Sequence, residues 1–246
     1  MTADSEESDW FGHRSDLVGV AGPDGNRIPC RRLRPSPAND SMPWVLAVHG
    51  ATSSKHEWTE LDGYTKGGNL ALALLDAGIA LVAPDLRYHG ENSTREFPGF
   101  DIFEEWNWPR FHEEAVRDLH AVIAHFAGQE EFDPGRMGFA GYSMGSSFGF
   151  WLANRGIPFK ALSLCVPYVD RTTSTAYSNF NNLENLGQTP VLQISAQDDE
   201  YIPFDQARWL FERNPSRDKQ FLSYPTGHSL PVDYVVPAAE WIKARI

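Results

Sequence analysis

Apolar residues recur along this chain with two periods, and the two alternate. The run "WVLAVHG" at 44–50 is continuously apolar and stops at a glycine, the pattern of a strand buried on both faces. Residues 79–86, 136–142, 161–166 and 190–196 repeat it, and 219–224 predicts a further strand. Between these runs the spacing becomes helical. Residues 67–78 end at Gly78, a C-cap signal. Over 109–127, Phe111, Ala115, Val116, Leu119, Val122, Ile123 and Phe126 fall on one stripe. Helices are also predicted over 144–155, 203–213 and 234–245, and residues 17–34 read as two strands around the turn "GPDGN". Buried strands alternating with amphipathic helices predict an α/β domain: a mainly parallel central sheet with helices on both faces, opened by an N-terminal β-hairpin.

The chain has 246 residues, within the range of one large α/β unit, and no linker or internal repeat divides it. The expected organisation is a single domain over 17–246, preceded by an acidic, flexible terminus at 1–16 that carries Asp4, Glu6, Glu7 and Asp9. The formal net charge of −12, with no cluster of Lys and Arg beyond the short "CRRLR" at 30–34, argues against nucleic acid as a partner. No basic segment followed by an apolar core opens the chain, and no apolar run approaches membrane-spanning length. Cys30 and Cys165 are far apart and lack metal-ligand spacing, which fits reduced thiols in a cytoplasmic protein. The eight histidines form no HxH or HxxxH pair, so no metal is expected. "GFAGYSMG" follows a strand but lacks G-x-G-x-x-G spacing, so no nucleotide cofactor is expected either. No pattern assigns an oligomeric state.

In a parallel sheet of this kind, ligands sit at the carboxyl ends of the strands. Those ends carry His49-Gly50, Asp85, Ser143, Tyr168 to Asp170, Asp198-Asp199 and His228. A serine hydroxyl needs an imidazole to take its proton, and the imidazole needs a carboxylate to hold its tautomer. "GYSMG" at 141–145 has the small residues flanking serine that a sharp strand-to-helix elbow requires, with the N–H of Met144 at the helix start facing a developing oxyanion.

With these residues in place, the chain resembles an α/β-hydrolase of the serine esterase and peptidase-related type over nearly all of 17–246. "VLAVHGATSS", "APDLRYHGENS", "ISAQDDEYIP" and "PTGHSLP" are similar to that family's strand-then-His-Gly, Asp-x-Arg-x-His-Gly, acid-loop and histidine-loop segments, in the family's order. The resemblance implies a triad of Ser143, Asp199 and His228, with the N–H groups of Ala51 and Met144 as the oxyanion hole. Asp198, one residue of register away, and Asp170, after the preceding strand, are the alternative acids. It gives His49 and His89 structural roles. His120 and His125 are read as surface or boundary residues, while His56 and His112 could border the pocket.

Too few residues, 167–189, follow the 161–166 strand to form a helical lid. The aromatic run at 92–112 (Phe97, Phe100, Phe103, Trp106, Trp108, Phe111) could instead cover the site or simply pack the loop, and Trp58, Tyr168 and Tyr177 could add walls. The implied activity is hydrolysis of small or accessible carboxylic esters through an acyl-enzyme. The same machinery also serves amidases, thioesterases and C–C bond hydrolases, and a binding protein on the same fold is the non-enzymatic alternative.

Overall fold

The computed structural model describes residues 7–37, 40–93, 107–169 and 182–246. The buried apolar runs form the middle of one sheet. In chain order the strands are β1 (Ser8–Trp10), β2 (His13–Ala21), β3 (Arg27–Arg34), β4 (Met42–Val48), β5 (Ala80–Pro84), β6 (Phe132–Tyr142), β7 (Leu162–Cys165), β8 (Val191–Ala196) and β9 (Lys219–Tyr224). Their order across the sheet is β1-β2-β3-β5-β4-β6-β7-β8-β9. The pairs from β5 through β9 are parallel, whereas β1, β2 and β3 extend the β5 edge in antiparallel fashion.

Among the described residues, five α-helices connect and cover the strands: α1 (Gly67–Leu75), α2 (Asn107–Ala127), α3 (Met144–Asn154), α4 (Phe204–Arg213) and α5 (Val235–Lys243). The period-two alternation of each strand assigns its side chains to two cores. Trp44, Leu46 and Val48 of β4 point to the side of α2, α3 and α4, whereas Val45 and Ala47 point to the side of α1 and α5. All seven residues of the expected α2 stripe are buried in the first core. Trp44, Phe126 and Phe132 meet there with ring centroids 5.5–6.5 Å apart. The two cysteines are divided between the cores, Cys30 in the first and Cys165 in the second, and burial pushes both thiols well above their ordinary pKa.

The N-terminal boundary differs from the expectation. Residues 8–10 and 13–16 are not a flexible tail but pair as strands, Ser8 opposite Ser15 and Trp10 opposite His13. Of the acids that pointed to solvation, Glu7 instead finds the basic strand, where Asp16 of β2 joins it. Arg34 contacts Glu7, Asp16 and Glu131, and Arg32 makes a fork to Asp16 at 2.6 and 3.1 Å.

A buried knot fixes the two loops beside the future site. The Lys55 ammonium, fully buried, donates to Asp85 at 2.7 Å and to Glu91 at 2.6 Å, and the Lys55 backbone N–H adds a bond to Asp85 at 2.8 Å. A buried cation with two acceptors is held too tightly to be left half-paired. It therefore locks the segment after β4 to the segment after β5. No helix among the described residues is long and apolar enough to cross a membrane.

Candidate active site

The serine between two glycines occupies the turn from β6 into α3. Ser143 has φ 52° and ψ −117°, a conformation that costs a residue with a side chain about 1–3 kcal/mol and survives only where its surroundings impose it. The surroundings are the packing of α3 against the strands. A methyl group on Gly145 would lie 2.1 Å from the Val48 carbonyl oxygen, and one on Gly141 would lie 2.7 Å from the Ser146 nitrogen. The Ser143 N–H donates to the Cys165 carbonyl at 2.8 Å, and the Ser146 hydroxyl donates to the carbonyls of Gly141 and Cys165. Helix and strand thus approach as closely as backbone allows, with Ser143 at the apex.

His228 lies on the loop after β9. Its Nδ1 meets the two carboxylate oxygens of Asp199 at 2.8 and 3.0 Å. Burial pushes the Asp199 carboxyl up, but the bond from His228 and the N–H groups of Tyr201 and Ile202, both at 2.9 Å, outweigh it and hold the acid below its ordinary range. Asp198 is exposed and its N–H donates to the Thr226 carbonyl, so the structure brings Asp199 to the histidine and leaves Asp198 outside. Asp170 lies outside the described residues.

Ser143 and His228 line one cavity of about 650 Å³, together with Gly50, Ala51, Tyr168 and Ile202. Ala51 sits where the resemblance requires its N–H, on the loop after β4, and that N–H meets no acceptor among the described residues. Met144 is the first residue of α3; its side chain is buried in the core, and its N–H belongs to the unpaired first turn at the positive end of the helix.

The other histidines separate cleanly. His49 is buried; its Nδ1 donates to the Gly50 carbonyl at 2.7 Å while its Nε2 accepts from the Leu86 N–H at 3.1 Å. Burial, together with the neighbouring His89, pushes its pKa down to about 3, so it is a neutral brace. His89 donates to the Arg87 carbonyl. His120, His125 and His56 are exposed. His112 does not border the cavity: it packs between Phe148 and Trp151 in the core. Trp58 is likewise a core residue rather than a wall. Of the aromatic run, Phe111 is buried and Trp108 packs against Tyr168, whereas Phe97, Phe100, Phe103 and Trp106, like Tyr177, lie outside the described residues.

Sequence reasoning missed three groups that hold or line this site. The Tyr142 hydroxyl, one residue before the serine, donates to the His228 carbonyl at 2.6 Å and accepts from the Leu230 N–H at 2.9 Å. The Glu200 carboxylate accepts from the His228 N–H at 2.8 Å. Glu57, buried in the cavity wall, accepts from the Gly50 N–H at 3.1 Å. For Tyr142 the signal was adjacency to the serine of the elbow. For the other two it was a contact between distant segments that no local pattern encodes.

The sheet order, the strained serine elbow and the histidine–carboxylate pair define a serine hydrolase of the α/β-hydrolase class. The chain belongs to the dienelactone hydrolase family, which matches residues 58–236, and it is a hydrolase of carboxylic esters. Solved structures share the fold at low identity. A cold-adapted esterase from an Arctic intertidal metagenomic library is 20% identical, with all of both chains covered and a TM-score of 0.74. Acetyl xylan esterase 1 from Thermoanaerobacterium is 16% identical over 98% of this chain and 86% of that one, with a TM-score of 0.73. An esterase of Pyrococcus furiosus is 16% identical over 97% and 96%, with a TM-score of 0.72. No curated protein sequence matches the chain significantly.

Proposed function

We propose that Ser143, His228 and Asp199 form the catalytic triad of an enzyme acting on small, accessible esters. The single observation that carries this is the buried His228–Asp199 pair facing the same cavity as a serine held at positive φ. In this reading the Ser143 hydroxyl oxygen bonds to the ester carbonyl carbon as its proton passes to His228 Nε2. Asp199 keeps the other ring proton on Nδ1 and stabilises the imidazolium. The N–H groups of Ala51 and Met144 take the charge of the tetrahedral oxygen. Collapse breaks the C–O bond to the alcohol, which leaves with the proton from His228. Water then gives its proton to His228 and attacks the acyl-serine, releasing the acid and restoring Ser143. A cytoplasmic location accompanies this reading, supported by two buried cysteines that stay unpaired.

The test is steady-state hydrolysis of p-nitrophenyl esters from acetate through octanoate, with Ser143→Ala beside the native chain. Turnover greatest on short chains and absent from the variant is the expected result. Undiminished turnover by Ser143→Ala would overturn the assignment.

A further inference from the structure

Glu57 is unlike the other polar groups of the cavity. It stands on a single 3-10 turn, Lys55–Thr59, whose first residue is tied down by the buried Lys55–Asp85 pair. Its side chain is nearly sealed from solvent, 5% exposed for the residue, yet it lines the cavity. Oε2 accepts from Gly50, whereas Oε1, buried, has no partner at hydrogen-bond geometry, although the Ser53 and Thr65 hydroxyls lie close enough to favour its ionised form. A methyl group placed on Gly50 would touch both Glu57 Oε2 and Ser143 Cβ at 3.7 Å, so the carboxyl and the serine flank the same glycine.

Three further observations give the unused acceptor a direction. Among the described lining residues there is no Lys or Arg, and Glu60 adds a second carboxylate to the wall. Two exposed rings flank His228 at the mouth: Tyr201 edge-on at 5.1 Å, and Tyr64 at 6.4 Å, 61% and 55% exposed. Both are cavity residues, and Tyr64 adjoins Thr65, which faces Glu57. Carboxylates and tyrosine rings lining one cavity attract ammonium groups and repel anions. The two rings stand on the histidine side of the cavity, where a departing alcohol collects its proton, and Glu57 reaches that side through Thr65, which adjoins Tyr64.

Resting on the catalytic reading above, we infer that this enzyme prefers esters of amino alcohols, with Glu57 as the residue that receives the ammonium group. Burial pushes the Glu57 carboxyl up to about 7, an effect that the Gly50 N–H and the two hydroxyls oppose and that Glu60 reinforces. Of the other titratable groups packed around it, Tyr142 on β6, Cys165 on β7 and Tyr234 on α5 are all driven upward by burial and stay neutral through this range. The preference therefore strengthens as pH rises through about 7 and Glu57 gains its charge. Both esters depend on the same His228, so its contribution cancels from their ratio.

The experiment compares acetylthiocholine with its uncharged isostere, in which tert-butyl replaces trimethylammonium, at about pH 6 and about pH 8. The native chain should favour the cation in kcat/KM by about tenfold at the higher pH and by less at the lower. In Glu57→Gln the ratio should approach one at both, whatever the rate on the uncharged ester. Equal kcat/KM at the higher pH in the native chain, or an unchanged ratio in Glu57→Gln, overturns the inference while leaving the triad intact. If neither thioester is turned over, the failure is that of the catalytic reading. Calorimetric binding of choline against its tert-butyl analogue then decides the inference: tighter binding of choline upholds it, and equal or weaker binding overturns it.

Discussion

Three donors converge on Asp199 in a place where burial alone would favour the neutral acid. That convergence, rather than sequence position, separates it from Asp198. Asp199→Asn should lower kcat by about a thousandfold or more by releasing the tautomer of His228, while Asp198→Asn stays within a few-fold of native; ester hydrolysis by the two variants checks this. Glu57 poses the opposite case, an acid that folding neutralises. Its folded pKa of about 7 exceeds its ordinary 4.5, so the native state holds the proton more tightly than the unfolded chain. Stability is therefore lost as pH rises from about 4.5 to about 7 and levels off above, by at most about 3 kcal/mol. Glu57→Gln should remove that loss, and its melting temperature should fall less than the native protein's between about pH 5 and about pH 8.

At the scale of elements, two contacts join pieces that are remote in the chain. Gly145 lets α3 press on β4. Gly145→Ala would place a methyl group 2.1 Å from the Val48 oxygen and 2.6 Å from the His49 oxygen, both rigid backbone. The elbow would have to open, with an expected cost of about 3 kcal/mol or more and loss of turnover, read by thermal melting and ester assay. Tyr142 joins β6 to the histidine loop. Tyr142→Phe leaves the buried His228 carbonyl and Leu230 N–H without it, which should cost about 1–3 kcal/mol and lower kcat more than it changes KM. The elements themselves were legible in the sequence: β9 spans the predicted 219–224, and α3 ends one residue short of the predicted 155. Periodicity reports which positions pack on a core: α3 is buried throughout, and β9, half-buried at the sheet edge, lays Leu222 and Tyr224 against the second core. What escaped was pairing between charged segments. The short "CRRLR" run and Glu7, read as part of a solvated terminus, gave no sign of each other, because neither local pattern knows that the fold will lay Arg34, Glu7 and Asp16 side by side. Glu57 and Glu200 escaped for the same reason, since each acts on a backbone N–H seven or more residues away.

For the whole molecule, one sheet divides the interior into two cores of comparable extent, and each holds a cysteine out of reach of solvent. Cys30 is fully buried in β3 and Cys165 is 2% exposed in β7, so neither thiol is freed by fraying at the edges or by movement of the site loops. Both sulfurs should stay inert to an aromatic disulfide reagent in the folded protein and react together on unfolding, at a rate that tracks the loss of helical circular dichroism. The same silence is useful to the experimenter. A single cysteine introduced at the rim, at Tyr64 or Tyr201 for instance, would be the sole nucleophilic thiol of the native molecule. A fluorophore or spin label could be attached there without first deleting either natural residue, and binding at the cavity mouth could be watched directly.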